Sequence, residues 1–180
     1  ETDLAGLFAL GSNGENPALN DTERLKVFET ILGARSPAQT IIAGVSFESA
    51  LLTIRFARIL AEMGADYISV LTPSYYKKAL TDEAQLGYFQ KIADALTVPI
   101  LIYNAPGHTG ITLSLKVVEK ISQHPNIAVL ALTMHEDDQY FFEMLAAGAS
   151  GYVPKRAAPN DLISAIQAVR TGGMFLFPSV

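Results

Sequence analysis

The sequence predicts an α/β domain on a mostly parallel sheet, and three observations carry that expectation. Short apolar runs alternate six times with amphipathic stretches. Most of the runs are apolar at every position, not at every second one. Residues that start and stop helices punctuate the stretches between them. A strand with one wet face alternates polar and apolar, whereas a strand covered on both faces, as in a parallel sheet, reads as an unbroken apolar run. Strand and helix in strict alternation mean repeated βαβ units joined by right-handed crossovers.

The elements follow in order. The first run is Leu4–Leu10 (LAGLFAL). Asn20 then suits a helix N-cap, with Glu23 in the capping-box position. Thr40–Val45 (TIIAGV) is the second run. After it, Leu51, Ile54, Ala57, Arg58 and Ala61 place a mostly apolar stripe at helical spacing, read as core-facing. Tyr67–Thr72 (YISVLT) is the third run, and Thr81 before Asp82 and Glu83 sets acidic charge at the positive end of the next helix. Val98–Tyr103 (VPILIY) and Ile127–Thr133 (IAVLALT) follow. Gly151–Lys155 (GYVPK) is the weakest run, because Pro154 has no N–H for a ladder. Pro159 opens a last helix ending near Arg170, and Gly172-Gly173 stops it. The tail Met174–Phe177 (MFLF) is apolar and needs burial.

A length of 180 residues suits one domain, so residues 1–180 are expected to form a single α/β unit. Starting at Glu1 inside a strand lead-in, the chain reads as cut from something longer. Hydrophobic residues at 49% and charged residues at 17% exclude a disordered chain. The absence of cysteine excludes disulfides, thiolate metal sites and cysteine nucleophiles. A net charge of -5 argues against a nucleic-acid partner. No apolar stretch reaches the roughly 18 residues that cross a bilayer, and no signal peptide opens the chain, so a cytoplasmic protein without membrane contact is expected. Gly11 to Gly14 lacks dinucleotide spacing and no Walker loop is present, so no cofactor is expected. His135, Glu136, Asp137 and Asp138 read as the acidic first turn of a helix rather than a metal site.

Four phrases in residues 1–127 carry a family resemblance: GLFALGSNGENPALNDTER (Gly6–Arg24), IIAGV (Ile41–Val45), GADYISVLTPSYY (Gly64–Tyr76) and VPILIYNAPGHTGITLS (Val98–Ser114), followed by HPNI (His124–Ile127). Together they resemble the dihydrodipicolinate synthase and N-acetylneuraminate lyase family of class I aldolases. The resemblance implies the second to fifth units of an eightfold β/α barrel. Residues 128–180 resemble a different source. VLALT, AGASGYVPK and LISAI look like the C-terminal part of a response-regulator receiver domain, with Thr133, Tyr152 and Lys155 at its switch and strand-end positions. That resemblance implies a flavodoxin-like segment. A seam between HPNI and AVLALT then reads as a chimera, with the first segment barrel-derived and the second receiver-derived.

The aldolase resemblance also implies site residues. Class I aldolases join a lysine amine to a keto-acid carbonyl. The family's lysine stands on the strand after HPNI, where this chain has Ala128-Val129-Leu130-Ala131-Leu132. Ser12 and Asn13 match the glycine-flanked loop that holds the substrate carboxylate, with Asn13 replacing the usual hydroxyl residue. Tyr103 matches the proton-relaying tyrosine, and Tyr75 or Tyr76 the residue that completes the relay, sometimes from a neighbouring subunit. His108 stands where many members carry an arginine. Ser12, Asn13 and Tyr103 are read as vestiges, and Lys155, one strand further on, as a weak substitute amine.

Six strands are too few to close a barrel whose interior just fills at eight. A flavodoxin-like, open, doubly wound sheet is therefore the favoured architecture. The alternative is a partial TIM-barrel sheet completed by dimerisation, and a homodimer through an exposed sheet face is the expected partner. The last helix, Pro159–Arg170, is a candidate cover for the bare face. The expected function is an engineered scaffold of two fragments with no natural activity. The alternatives are a keto-acid aldolase or lyase, its Schiff-base lysine missing or replaced by Lys155, and a receiver-like protein-binding module.

Overall fold

The structure is a computed structural model that describes residues 4–128, 130–133, 145–149, 151–154, 164–166 and 173–176, with positions 142 and 168. Strands β1 (Gly6–Ala9), β2 (Thr40–Gly44), β3 (Tyr67–Leu71), β4 (Ile100–Tyr103) and β5 (Ile127–Ala128) form one sheet in chain order, each parallel to its neighbour. β6 (Leu130–Thr133), β7 (Gly151–Pro154) and β8 (Phe175–Leu176) form a second sheet, also parallel and in chain order. All six expected runs carry strands, the fifth contributing both β5 and β6, and the apolar tail supplies β8.

The helices are α1 (Asp21–Ala34), α2 (Ala50–Met63), α3 (Asp82–Ala95), the single turn α4 (Pro106–Thr109) and α5 (Leu115–Ser122). Their starts lie where the side chains dictate. Asn20 and Glu23 close a full capping box, with Glu23 N–H donating to Asn20 Oδ1 at 3.0 Å and Asn20 N–H to Glu23 Oε2 at 2.8 Å. Thr81 Oγ1 accepts from Ala84 N–H at 3.2 Å. Gly64, at φ +116°, ends α2 in a conformation that side chains avoid. The stripe on α2 differs from expectation. Ile54 and Ala57 of the expected stripe are buried, whereas Leu51 is 65% exposed and Thr53, Phe56 and Leu60 complete the buried face. The helix packs against both β3 and α3 through the face that carries Phe56 rather than the one that carries Leu51.

The flavodoxin-like expectation is corrected by the strand order. A doubly wound sheet must reverse its strand order at a switch point, which sends helices to both faces. Here β1 to β5 run outward without reversal. Right-handed crossovers in that order put the helices between β1 and β5 on the same side. Moving β1 to make a switch point would break its four-residue register with β2, Gly6↔Thr40 to Ala9↔Ala43. The arrangement fits the partial-barrel alternative.

Alternation along the strands then divides the apolar residues between two faces. Ile41, Ala43, Ile68, Val70 and Ile100 are buried against Phe28, Leu60, Phe89, Ile92 and Ile121 of the helices. Ile42 and Tyr67 lie on the other face, where Ile166 of the last helical stretch, 3% exposed, packs on them. That contact covers part of the inner face. No helix among the described residues is long and apolar enough to cross a membrane.

Candidate active site at the strand ends

Parallel strands in chain order bring all their C-terminal ends to one rim, where their following loops converge. β1 leaves the sheet through Leu10, whose φ of +56° is left-handed for a side-chain-bearing residue. A Cβ on Gly44 would run into the Leu10 carbonyl, so only glycine at the end of β2 admits this turn. Gly11 follows, and Ser12–Gly14 form a short 3-10 turn. β2 leaves through Ser46, whose Oγ accepts from Leu71 N–H of β3 at 3.1 Å. β4 ends on Tyr103.

The loops enclose two adjoining spaces. One is a cavity of about 480 Å³ on the inner face, lined by Phe8, Ile42, Ser69, Leu101, Ile166 and other residues, with Ser12 and Tyr103 at its edge. The second, of about 210 Å³, is lined by Ser12, Asn16, Arg24, Ser46, Ser69, Tyr103 and their apolar neighbours. Ser12 and Tyr103, read from the sequence as candidate carboxylate and proton-transfer groups, thus share both spaces. Asn13 lies on the same turn, but its side chain lies outside the described atoms.

His108 sits apart from that pair. It lines a third space with Ser12, Ser46, Glu48, Thr72 and Ser74 that Tyr103 does not reach. Tyr75 and Tyr76 are 77% and 69% exposed and pack edge to face at 4.9 Å between ring centroids. Their loop is held by Glu48, whose carboxylate accepts from Ser74 N–H at 3.0 Å, Ser74 Oγ at 3.2 Å and Tyr75 N–H at 3.1 Å. Phe47 beside it is braced from below. Tyr88 Oη donates to the Phe47 carbonyl at 2.7 Å and lies 3.0 Å from Thr53 Oγ1. Burial pushes the Tyr88 hydroxyl up to about 12, against the lowering effect of the Thr53 hydrogen bond.

Lys155 and the His135–Asp138 cluster lie outside the described residues. Thr133 and Tyr152 fall on the neighbouring strands β6 and β7. Among the described residues no three His, Cys, Asp or Glu side chains gather as a metal site would require.

Two functional candidates escaped the sequence reading. Glu48 is one; its only signal was its place three residues beyond an apolar run. Arg24 is the other. Its side chain is only 13% exposed, and its guanidinium lies 5.1 Å from the centroid of the Phe47 ring. Nε and Nη2 donate to the Asn16 carbonyl at 3.3 and 3.1 Å, and Nη1 to Asp21 at 2.9 Å. On a helix beginning NDTER, Arg24 reads as a solvated cation, and only the folded loop shows that it reaches the pocket.

Comparison with known proteins places these features. A model of the dihydrodipicolinate synthetase family matches residues 1–139. A probable mitochondrial 4-hydroxy-2-oxoglutarate aldolase of Emericella nidulans is 38% identical over 137 residues, covering 72% of this chain and 44% of that protein. A 4-hydroxy-tetrahydrodipicolinate synthase of Oceanobacillus iheyensis is 33% identical across 93% of this chain and 63% of its own length. A crystal structure of a dihydrodipicolinate synthase superposes with a TM-score of 0.75 at 25% identity, covering 97% of this chain and 58% of that one. The chain therefore spans only 44% and 63% of the two curated relatives.

These matches correct the expected seam. The family match continues past Ile127 to residue 139, and the O. iheyensis alignment covers nearly the whole chain. A receiver-derived second segment finds no support, and β5 pairs in register with β4 on both sides of the supposed junction, Ile100↔Ile127 and Leu101↔Ala128. The expectation of an engineered scaffold without natural activity is overturned with it, since the relatives are natural aldolases and synthases. Short phrases such as AGASGY misled because a helix end, a glycine and a strand start look alike in any βα unit.

Proposed function

Because the chain belongs to the dihydrodipicolinate synthetase family, we propose that it carries the strand-end site of a keto-acid aldolase or lyase. The single observation behind this reading is that Ser12 and Tyr103, from β1 and β4, line the same two spaces. The relatives' names point to the same chemistry, since 4-hydroxy-2-oxoglutarate is a 2-oxo acid. In this reading the Gly11–Gly14 turn and the Ser12 hydroxyl hold the substrate carboxylate through N–H and O–H donors. Tyr103, which lines both spaces, passes protons to and from the reacting oxygen.

The amine is the remaining requirement. β6 carries no lysine. Lys155 directly follows β7 in the chain, and β7 pairs in parallel with β6. Its nitrogen would attack the carbonyl carbon, the carbonyl oxygen would leave as water, and the protonated imine would accept electrons from the breaking carbon–carbon bond. Residues 1–180 act in this proposal as one domain, with a second copy as the partner.

Borohydride reduction in the presence of pyruvate, followed by intact mass and peptide mapping, tests it. The expected result is one reduced adduct on Lys155 that Lys155→Ala abolishes. Pyruvate that binds without forming an adduct removes Lys155 from the mechanism. Absence of any pyruvate binding overturns the whole reading.

A further inference from the structure

We infer that His108 is a catalytic residue, the acid–base group that moves the proton of the second oxygen when the carbon–carbon bond forms or breaks. The inference rests on the keto-acid reading above and deepens it. In that reading Tyr103 serves the oxygen of the keto acid. The bond that forms joins the keto acid to a second carbonyl compound, whose oxygen becomes an alkoxide and needs a proton of its own.

The strand ends provide a separate place for that oxygen. Ser12 alone among the described residues borders all three spaces. The third space, of about 340 Å³, is walled by the loops after β2, β3 and β4 through Glu48, Thr72, Ser74 and His108. Tyr103 does not line it. A carbonyl compound held there meets the keto acid beside Ser12 and must exchange its proton with this lining. Glu48 is not available for that work, because its two oxygens accept from Ser74 N–H at 3.0 Å, Ser74 Oγ at 3.2 Å and Tyr75 N–H at 3.1 Å. Ser46 Oγ accepts from Leu71 N–H, and Thr109 Oγ1 is bonded within its own turn. An alcohol also holds its proton near neutral pH, where imidazole can give one or take one.

His108 has that capacity to spare. Its imidazole makes no hydrogen bond or ion pair among the described residues, whereas both ring nitrogens of His124 are engaged, by Asp94 at 3.0 Å and by Asn126 N–H at 3.1 Å. A neutral imidazole without partners keeps one nitrogen to donate and one to accept. The backbone beneath it is fixed. His108 N–H and Thr109 N–H both donate to the Ala105 carbonyl, at 2.9 and 3.0 Å, and Thr109 is buried. In cleavage, the imidazole takes the proton of the C4 hydroxyl from a 4-hydroxy-2-oxo acid held as its protonated imine. The C3–C4 electron pair moves into the imine to give an enamine, and C4 leaves as an aldehyde. In condensation the imidazolium returns the proton to the new alkoxide.

The test separates the two halves of the reaction on the full chain. His108→Gln is expected to slow aldehyde release from 4-hydroxy-2-oxoglutarate, the acid for which one relative is named, about a hundredfold. Borohydride trapping of pyruvate and the melting temperature should keep their wild-type values. In His108→Ala, added imidazole should restore part of the lost cleavage rate. An unchanged cleavage rate in His108→Gln overturns the inference, and so does an equal loss of cleavage and trapping, which marks a packing role. Should His108→Gln fail to fold, His108→Ala decides: no response to imidazole overturns it. A wild type that traps pyruvate but releases no aldehyde also overturns the inference and leaves the keto-acid reading standing. A wild type that neither binds nor traps pyruvate refutes the keto-acid reading itself.

Discussion

The two faces of the β1–β5 sheet are built from the same strands and behave differently. On the helix side, Ile41, Ile68 and Ile100 vanish beneath Phe28, Phe89, Ile92 and Ile121. On the inner side, Phe8 is 50% exposed, Ser69 sits among apolar neighbours, and a cavity of about 480 Å³ opens between them. One residue's step along a strand separates a filled core from an open site. The contrast shows where this chain keeps its stability and where it keeps room for a ligand. It also explains why the inner face tolerates a polar residue such as Ser69 between Ile68 and Val70 of the same strand.

Breaking the contrast begins with the core. Phe89→Ala should cost about 3–5 kcal/mol, read as a lower denaturation midpoint, because nothing on the packed side can collapse into the hole. Phe8→Ala on the inner face should cost less than about 1 kcal/mol, since half of that ring is already in water. Equal losses at the two positions would refute the asymmetry. Next in size is Tyr103→Phe. It should slow borohydride-trappable adduct formation roughly a hundredfold while leaving the melting temperature in place. A parallel fall in stability would make Tyr103 a packing residue instead.

Two smaller effects sharpen the picture. Burial raises the Tyr88 hydroxyl to about 12 from the ordinary 10.0. A raised value means its contribution is complete below the unfolded value and fades as pH climbs toward the folded one. Stability should therefore fall by about 2–3 kcal/mol between pH 10 and 12, followed by circular dichroism, and Tyr88→Phe should flatten that limb. Asn20→Ala removes half of the capping box and should cost about 1 kcal/mol by urea denaturation, without altering pyruvate binding. A binding defect there would mean that α1, which carries Arg24, must be held at its start for the pocket to form.

Much of this was legible before any coordinates. Unbroken apolar runs such as TIIAGV and YISVLT announce buried parallel strands, and Asn20, Thr81 and Gly64 announce helix ends, because each acts through neighbours a few residues away. The orientation of α2 was not legible, since Leu51 and Phe56 are both apolar and only contact with β3 and α3 chooses between them. Lys155 and Tyr103 were readable as residue types, while the meeting of Ser12 with Tyr103 was not.

The sequence by itself determined strand and helix and their parallel alternation, since these depend on local periodicity and capping, while its candidate strand-end residues came from family resemblance alone. Tertiary structure alone decided that strands β1 to β5 run without reversal and that α1, α2, α3 and α5 share one face. It also brought Arg24 of the first helix into the space beside Ser12. Strand order and pocket lining are set by free energies of contact between residues far apart in the chain, and no local pattern encodes which distant surface a side chain will meet.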